Sequence, residues 1–125
     1  MAGPAPGFLT HPNYEVTIEP SASRVRVLVG GTVIADTREA VLVSESRHAP
    51  VWYLPMASVD PAFIEATDSS TYCPFKGDAS YWSIRAGGET PPDAMWSYQA
   101  PFDECLPIAD HVAFYADRVT IEVDP

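Results

Sequence analysis

Arg24-Val25-Arg26-Val27-Leu28-Val29-Gly30-Gly31-Thr32-Val33-Ile34-Ala35-Asp36-Thr37 decides the fold class. Polar and apolar residues alternate before the Gly-Gly pair, and β-branched residues follow it. Period-two alternation is the mark of a strand with one buried face. The two glycines supply the positive φ that a tight hairpin turn demands. The stretch therefore predicts two antiparallel strands around a turn. Working outward, similar short runs recur. Residues 14–19 alternate and stop at Pro20. Residues 40–43 form another run, and residues 51–54 are bounded by Pro50 and Pro55. Residues 71–73 are extended up to Pro74, residues 79–85 lead to a Gly87-Gly88 turn, and residues 94–98 form a further strand. Residues 111–115 and 118–123 are expected as a closing pair of strands. One short helix is expected where Asp60 can cap, Pro61 suits the first helical position and residues 62–66 follow. Residues 101–106 are expected as a second short helical turn. Short strands at close spacing point to one mainly β domain with antiparallel pairing, not a βαβ fold.

The chain has 125 residues, enough for one core and too few for two independent domains. Residues 1–13 hold three of the 13 prolines and two of the seven glycines, so they are expected as a flexible leader to a single domain over residues 14–125. The net charge is −10, from seven Lys and Arg against 17 Asp and Glu. Phosphate affinity is built from Lys and Arg, so this acidic protein is not expected to bind nucleic acid or an anionic membrane surface. No apolar run approaches the ~20 residues of a spanning helix, and the first ten residues lack the pattern of a signal peptide. The expected location is the cytoplasm. Cys73 and Cys105 are the only cysteines. With no Cys-x-x-Cys pair, no paired-histidine spacing and no Asp-x-Asp-x-Asp-Gly run, neither a metal nor another cofactor is expected. A Cys73–Cys105 bridge is not expected in a reducing compartment.

The chemistry concentrates in Thr71-Tyr72-Cys73-Pro74-Phe75-Lys76-Gly77-Asp78-Ala79-Ser80-Tyr81-Trp82. Lys76 is the only lysine, and it stands among aromatics. A lysine there can lose hydration and act as a nucleophile or an anion ligand. Equally, Lys-Gly is a common turn pair with a snorkelling side chain. Cys73 is reactive only if a basic neighbour such as Lys76 or His48 lowers its pKa; a buried inert thiol is the plainer reading. Glu45, Arg47 and His48 share a polar run between two strands, suited to a polar ligand, an acid–base pair or simply a solvated loop. Trp52, Trp82 and Trp96 lie in separate strands beside Tyr53, Tyr81 and Tyr98. Such a cluster serves a core first and a pocket second. The tyrosines are expected on the faces opposite the tryptophans.

Several of these motifs together carry a resemblance. They are Val51-Trp52-Tyr53-Leu54-Pro55, Thr71-x-Cys73-Pro74-Phe75-Lys76-Gly77 with Tyr81-Trp82, Trp96-Ser97-Tyr98, and Ile108-Ala109-x-His111-Val112-Ala113-Phe114-Tyr115 followed by Asp117-Arg118-Val119. In these the chain resembles the bacterial and fungal family known as domain of unknown function 427, over about residues 14–123. The resemblance implies a compact β-tent of two antiparallel sheets, shared with methionine-R-sulfoxide reductases and the thalidomide-binding domain of cereblon. Many β-tent proteins hold zinc through two Cys-x-x-Cys pairs, which this chain lacks. The family is also labelled nucleotidyltransferase-like, but no Gly-Ser with paired aspartates supports that chemistry here. In β-tent relatives a ligand sits in the cleft between sheets, which makes Lys76, Tyr81, Trp52 and Trp96 the pocket residues by resemblance.

Three functions follow as expectations. The first is binding of a small polar or anionic ligand by Lys76, Arg47 and His48, walled by Trp52, Tyr81 and Trp96. The second is an enzyme with Cys73 or Lys76 as nucleophile and Glu45 or His48 as base. The third is a non-catalytic interaction module, including a homodimer.

Overall fold

The computed structural model describes residues 3–125. Ten strands are present among them: β1 (Val16–Pro20), β2 (Arg24–Val29), β3 (Thr32–Thr37), β4 (Val41–Glu45), β5 (Val51–Pro55), β6 (Ile64–Cys73), β7 (Gly77–Ile84), β8 (Met95–Ser97), β9 (His111–Phe114) and β10 (Thr120–Asp124). They form two antiparallel sheets. The larger runs β1-β4-β5-β9-β8-β7-β6, and the smaller runs β10-β2-β3. The protein is therefore mainly β, as its alternating runs predict. Among the described residues, no helix is long and apolar enough to cross a membrane.

The Gly30-Gly31 hairpin forms as read, with Val29 opposite Thr32 and both glycines at positive φ. Along β2, Val25, Val27 and Val29 alternate inward. They meet Leu54, Ile84, Met95, Val112 and Phe114 of the large sheet in the first core. The next residues along the same strands turn to the opposite face. Tyr53, Tyr81 and Ala113 join Val41, Val43 and Tyr98 there in a second core. A 3-10 segment, Asp103–Ile108, covers that core with Cys105 and Ile108, both fully buried. Each large aliphatic side chain so buried contributes roughly 1.5–3 kcal/mol.

Three expectations are corrected. The helix after Asp60 is only the 3-10 turn Pro61–Phe63. Asp60 does cap it, accepting from the Ala62 amide, but Ile64 begins β6 and pairs with Ile84. Residues 64–66 are a poor continuation of a helix because Ile64 packs against the first core from a strand. The closing strands do not pair with each other: β9 lies between β5 and β8 in the large sheet, whereas β10 pairs with β2 in the small one. The N-terminal residues 5–10 dock on the domain. Ala5 is 3% exposed, its amide donates to Glu104, and the Gly7 amide donates to the Pro74 carbonyl. The α-helical turn α1 (Gly7–Thr10) follows. Gly7 sits so close to the Phe75 ring that a Cβ would force the ring to move. Finally, Tyr98 does not oppose Trp96. It lies two residues on, and both side chains belong to the second core.

The two sheets also meet through backbone. The Gly30 turn of the small sheet touches the Gly87 turn between β7 and β8, and a Cβ on either glycine would overlap the other's carbonyl. Both have positive φ, 55° and 57°. Gly30→Ala should therefore cost about 3 kcal/mol or more, combining left-handed strain with steric overlap. Gly31 has positive φ but open space around it, so Gly31→Ala should lose only about 1–2 kcal/mol. Urea unfolding of the two variants side by side checks the difference; equal losses would mean that the turn contact does not hold the sheets together.

Candidate functional site

Lys76 lies in the turn between β6 and β7, where its amide closes onto the Cys73 carbonyl at 3.2 Å. Gly77 follows with φ 127°, a conformation that a side chain would strain. Lys76 is in a turn, as the Lys-Gly pair suggests, but it does not snorkel: the residue is 7% exposed. Its Nζ donates to Glu45 Oε2 at 2.5 Å, and it stands 5.6 Å from the centre of the Tyr98 ring. Glu45 ends β4 and reaches across the sheet. Its other oxygen, Oε1, accepts from the Tyr14 hydroxyl at 2.8 Å. Tyr14 in turn stacks on Phe75, with ring centres 3.8 Å apart. A lysine, a glutamate and a tyrosine from three separate segments thus form one network, closed over by the N-terminal residues.

This network is the floor of a cleft of about 490 Å³. Tyr53, Tyr98 and Trp96 wall it, and Cys73 and His48 also line it. The Trp96 indole N–H donates to the Tyr53 hydroxyl at 3.1 Å, which fixes both rings. Of the residues expected to bind, Lys76, Trp96 and His48 come together here, joined by Glu45 and Cys73. Arg47 lies in an adjoining cleft that also includes His48. Two expected residues are elsewhere. Trp52 packs against the first core, on the opposite face of the large sheet. Tyr81 is held in the second core by its hydroxyl, which bonds Thr71 at 2.9 Å and Tyr115 at 3.3 Å. Period two explains the loss of Trp52: Tyr53 takes the cleft face, so its neighbour cannot. Tyr14, Tyr53 and Tyr98 are the site residues that sequence reasoning missed. The signal for Tyr53 and Tyr98 was their strand phase relative to Lys76. Tyr14 had none, because its partner Glu45 is 31 residues away.

Electrostatics separate the groups. Burial works against the charge of Glu45, but the Lys76 ammonium and the Tyr14 hydroxyl outweigh it and hold the carboxyl below its ordinary range. Burial pushes the Tyr14, Tyr53 and Tyr98 hydroxyls well up, so they remain protonated. Burial also raises the Cys105 thiol to about 11, and its Sγ faces the Phe75 carbonyl at 3.5 Å. Cys105 is an inert core thiol, and both cysteines are free. No hydrogen bond joins Cys73 to a base among the described residues, and no group of three or more His, Cys, Asp or Glu is placed to hold a metal ion among them.

A carboxyl held below its unfolded pKa of ~4.3 contributes stability above that pH, and the contribution disappears as pH falls through the folded value. Glu45→Gln should therefore lose less urea stability than the parent between about pH 6 and about pH 3. The slope that remains belongs to Asp36 and Asp93. Arg24 depresses the first, and the Ser69 and Thr67 hydroxyls depress the second. An unchanged slope in Glu45→Gln would show that the network does not contribute to folding.

No curated protein matches the chain. The model of one family, described as a domain of unknown function (DUF427), matches residues 17–125, which include Glu45, Cys73, Lys76, Trp96 and Tyr98 but not Tyr14. Over that span of sheets and cleft floor, the chain belongs to the DUF427 family.

Proposed function

We propose that the protein binds a small polar molecule in the aromatic cleft over the Glu45–Lys76 pair. One observation carries this reading: the only lysine of the chain forms an ion pair whose two side chains are 8% and 12% exposed, on the floor of an open cleft. A buried ion pair is a poor stabilising device, because desolvation offsets most of its attraction and an apolar pair often serves as well. Its placement at the cleft floor suits recognition better than folding. An ammonium has three donors. Lys76 gives one to Glu45 and makes no other side-chain hydrogen bond among the described residues. The remaining donors suit a ligand oxygen, while the flat faces of Trp96 and Tyr98 suit a planar or apolar body. Because Glu45 neutralises Lys76, this floor favours a polar group over a free anion.

The enzymatic reading has one observation in its favour: Cys73, Lys76, Glu45 and His48 line one cleft. It ranks second because both Glu45 oxygens are already engaged and Cys73 has no hydrogen-bonded base.

The test pairs stability with binding. Lys76→Met alone leaves Glu45 buried without its cation and should cost about 3–5 kcal/mol. Lys76→Met with Glu45→Gln should regain most of that loss. A thermal-shift screen of small polar metabolites should yield hits on the parent, since ligand at ~100 times its Kd stabilises by ~2.7 kcal/mol. Those hits should vanish in the folded double variant. Hits that persist there, or a screen with none on the parent, would overturn the reading.

A further inference from the structure

Beside this floor lies a second cleft of about 590 Å³, and its chemistry differs from the rest of the surface. His11, Arg47 and His48 line it, and none of its lining residues is acidic. That is unusual placement in a chain with 17 carboxylates and seven Lys and Arg. Tyr14, Phe75 and His48 line both clefts, so the two share a wall and adjoin.

Arg47 is the distinctive group. Each of the other five arginines is engaged. Arg24 pairs with Asp36, Arg26 with Glu122 and Asp124, and Arg85 with Glu65. Arg38 donates to the Ala22 carbonyl, and Arg118 donates to the Pro92 and Asp93 carbonyls while lying over the Tyr115 ring. Arg47 makes no hydrogen bond or ion pair among the described residues. It also occupies a costly conformation. The turn closes from the His48 amide to the Glu45 carbonyl at 3.2 Å, and Arg47 sits in it at φ 67°. Glycine or asparagine is the usual residue at such a position, and another side chain costs about 1–2 kcal/mol there. The turn thus holds an uncommitted guanidinium and an imidazole at the mouth of a cleft without carboxylates.

We propose that this outer cleft is an anion subsite, taking the phosphate or carboxylate end of a small organic ligand whose polar or planar body lies over the Glu45–Lys76 floor. The proposal rests on the binding reading above and adds the charge class of the ligand. A guanidinium presents paired donors that match both oxyanions. The division of labour follows from the geometry: Glu45 neutralises Lys76 at the floor, whereas no carboxylate lines the outer cleft, so Arg47 keeps its charge there. His11 and Tyr14 precede the residues matched by the family model, so the subsite depends in part on this chain's own N-terminal segment.

The test uses the full chain with phenyl phosphate, benzoate, phenol and inorganic phosphate, followed by NMR at the Arg47 and His48 amides and at the Trp96 indole N–H. Phenyl phosphate or benzoate should shift both sets of signals; which of the two binds tighter tells phosphate from carboxylate. Arg47→Gly removes the guanidinium and relieves the positive φ, so it should fold at least as well as the parent. In it, binding of the tighter anion should weaken about five- to tenfold, and further with His48→Gln, while any phenol response at Trp96 stays unchanged. A Trp96 response to phenyl phosphate that is indifferent to both substitutions would overturn the subsite and leave the inner-cleft reading intact. An Arg47-dependent response to inorganic phosphate with Trp96 silent to every probe would support the subsite and count against the inner cleft. No response from Arg47 and His48 to any anion would overturn the proposal.

Discussion

Burial of the seven-stranded sheet on both faces is the constraint on which the rest depends. An antiparallel sheet often leaves one face to water, so that its strands alternate apolar and polar. Here the small sheet covers one face, and the 3-10 segment Asp103–Ile108 covers part of the other. Alternation along each strand therefore separates two buried sets. Leu54, Ile84, Met95 and Val112 face the small sheet, and they are aliphatic or nearly so. Tyr53, Tyr81 and Tyr98 face the other side and carry hydroxyls. Buried hydroxyls require partners. Tyr53 accepts from Trp96, and Tyr81 bonds Thr71 and Tyr115. The polar-tipped face can open into a cleft, where solvent or a ligand can meet a hydroxyl such as that of Tyr98, while the aliphatic face packs as a core.

The same constraint explains what could be read from residues alone. The Gly30-Gly31 hairpin and the runs at Val51 and Met95 were legible because turn chemistry and period two are local. Part of the DUF427 motifs reaches the cleft for a related reason: Cys73, Phe75 and Lys76 lie in one turn, so their proximity needs no long-range knowledge. What was not legible is long-range. Glu45 was singled out, but its bond to Lys76 spans 31 residues, as does the bond from Tyr14. Trp52 and Tyr81 looked like pocket walls because aromatic residues beside a site motif are hard to distinguish from core without knowing strand phase. The docking of the N-terminal residues was not legible because Pro and Gly read as turn and linker residues. Gly7 is instead required by contact with Phe75.

The charge distribution completes the argument. A net charge of −10 would disfavour an anionic ligand over most of this surface. Discrimination must then come from local arrangement. In five of the six arginines the guanidinium is occupied by carboxylates or carbonyls, and the lysine is occupied by Glu45. Carboxylates neutralise Arg24, Arg26, Arg85 and Lys76, while Arg38 and Arg118 spend their donors on carbonyls. The one guanidinium without a protein partner among the described residues is that of Arg47, held in a strained turn beside His11 and His48, where the stacked Tyr14–Phe75 pair forms the wall. An anion approaching an acidic protein is repelled until it reaches such a place, so the surrounding acid sharpens selectivity for it. The acidity that argues against a nucleic-acid binder is thus compatible with a small anionic ligand, because one short cationic rim suffices for a single charged group and not for a polyanion.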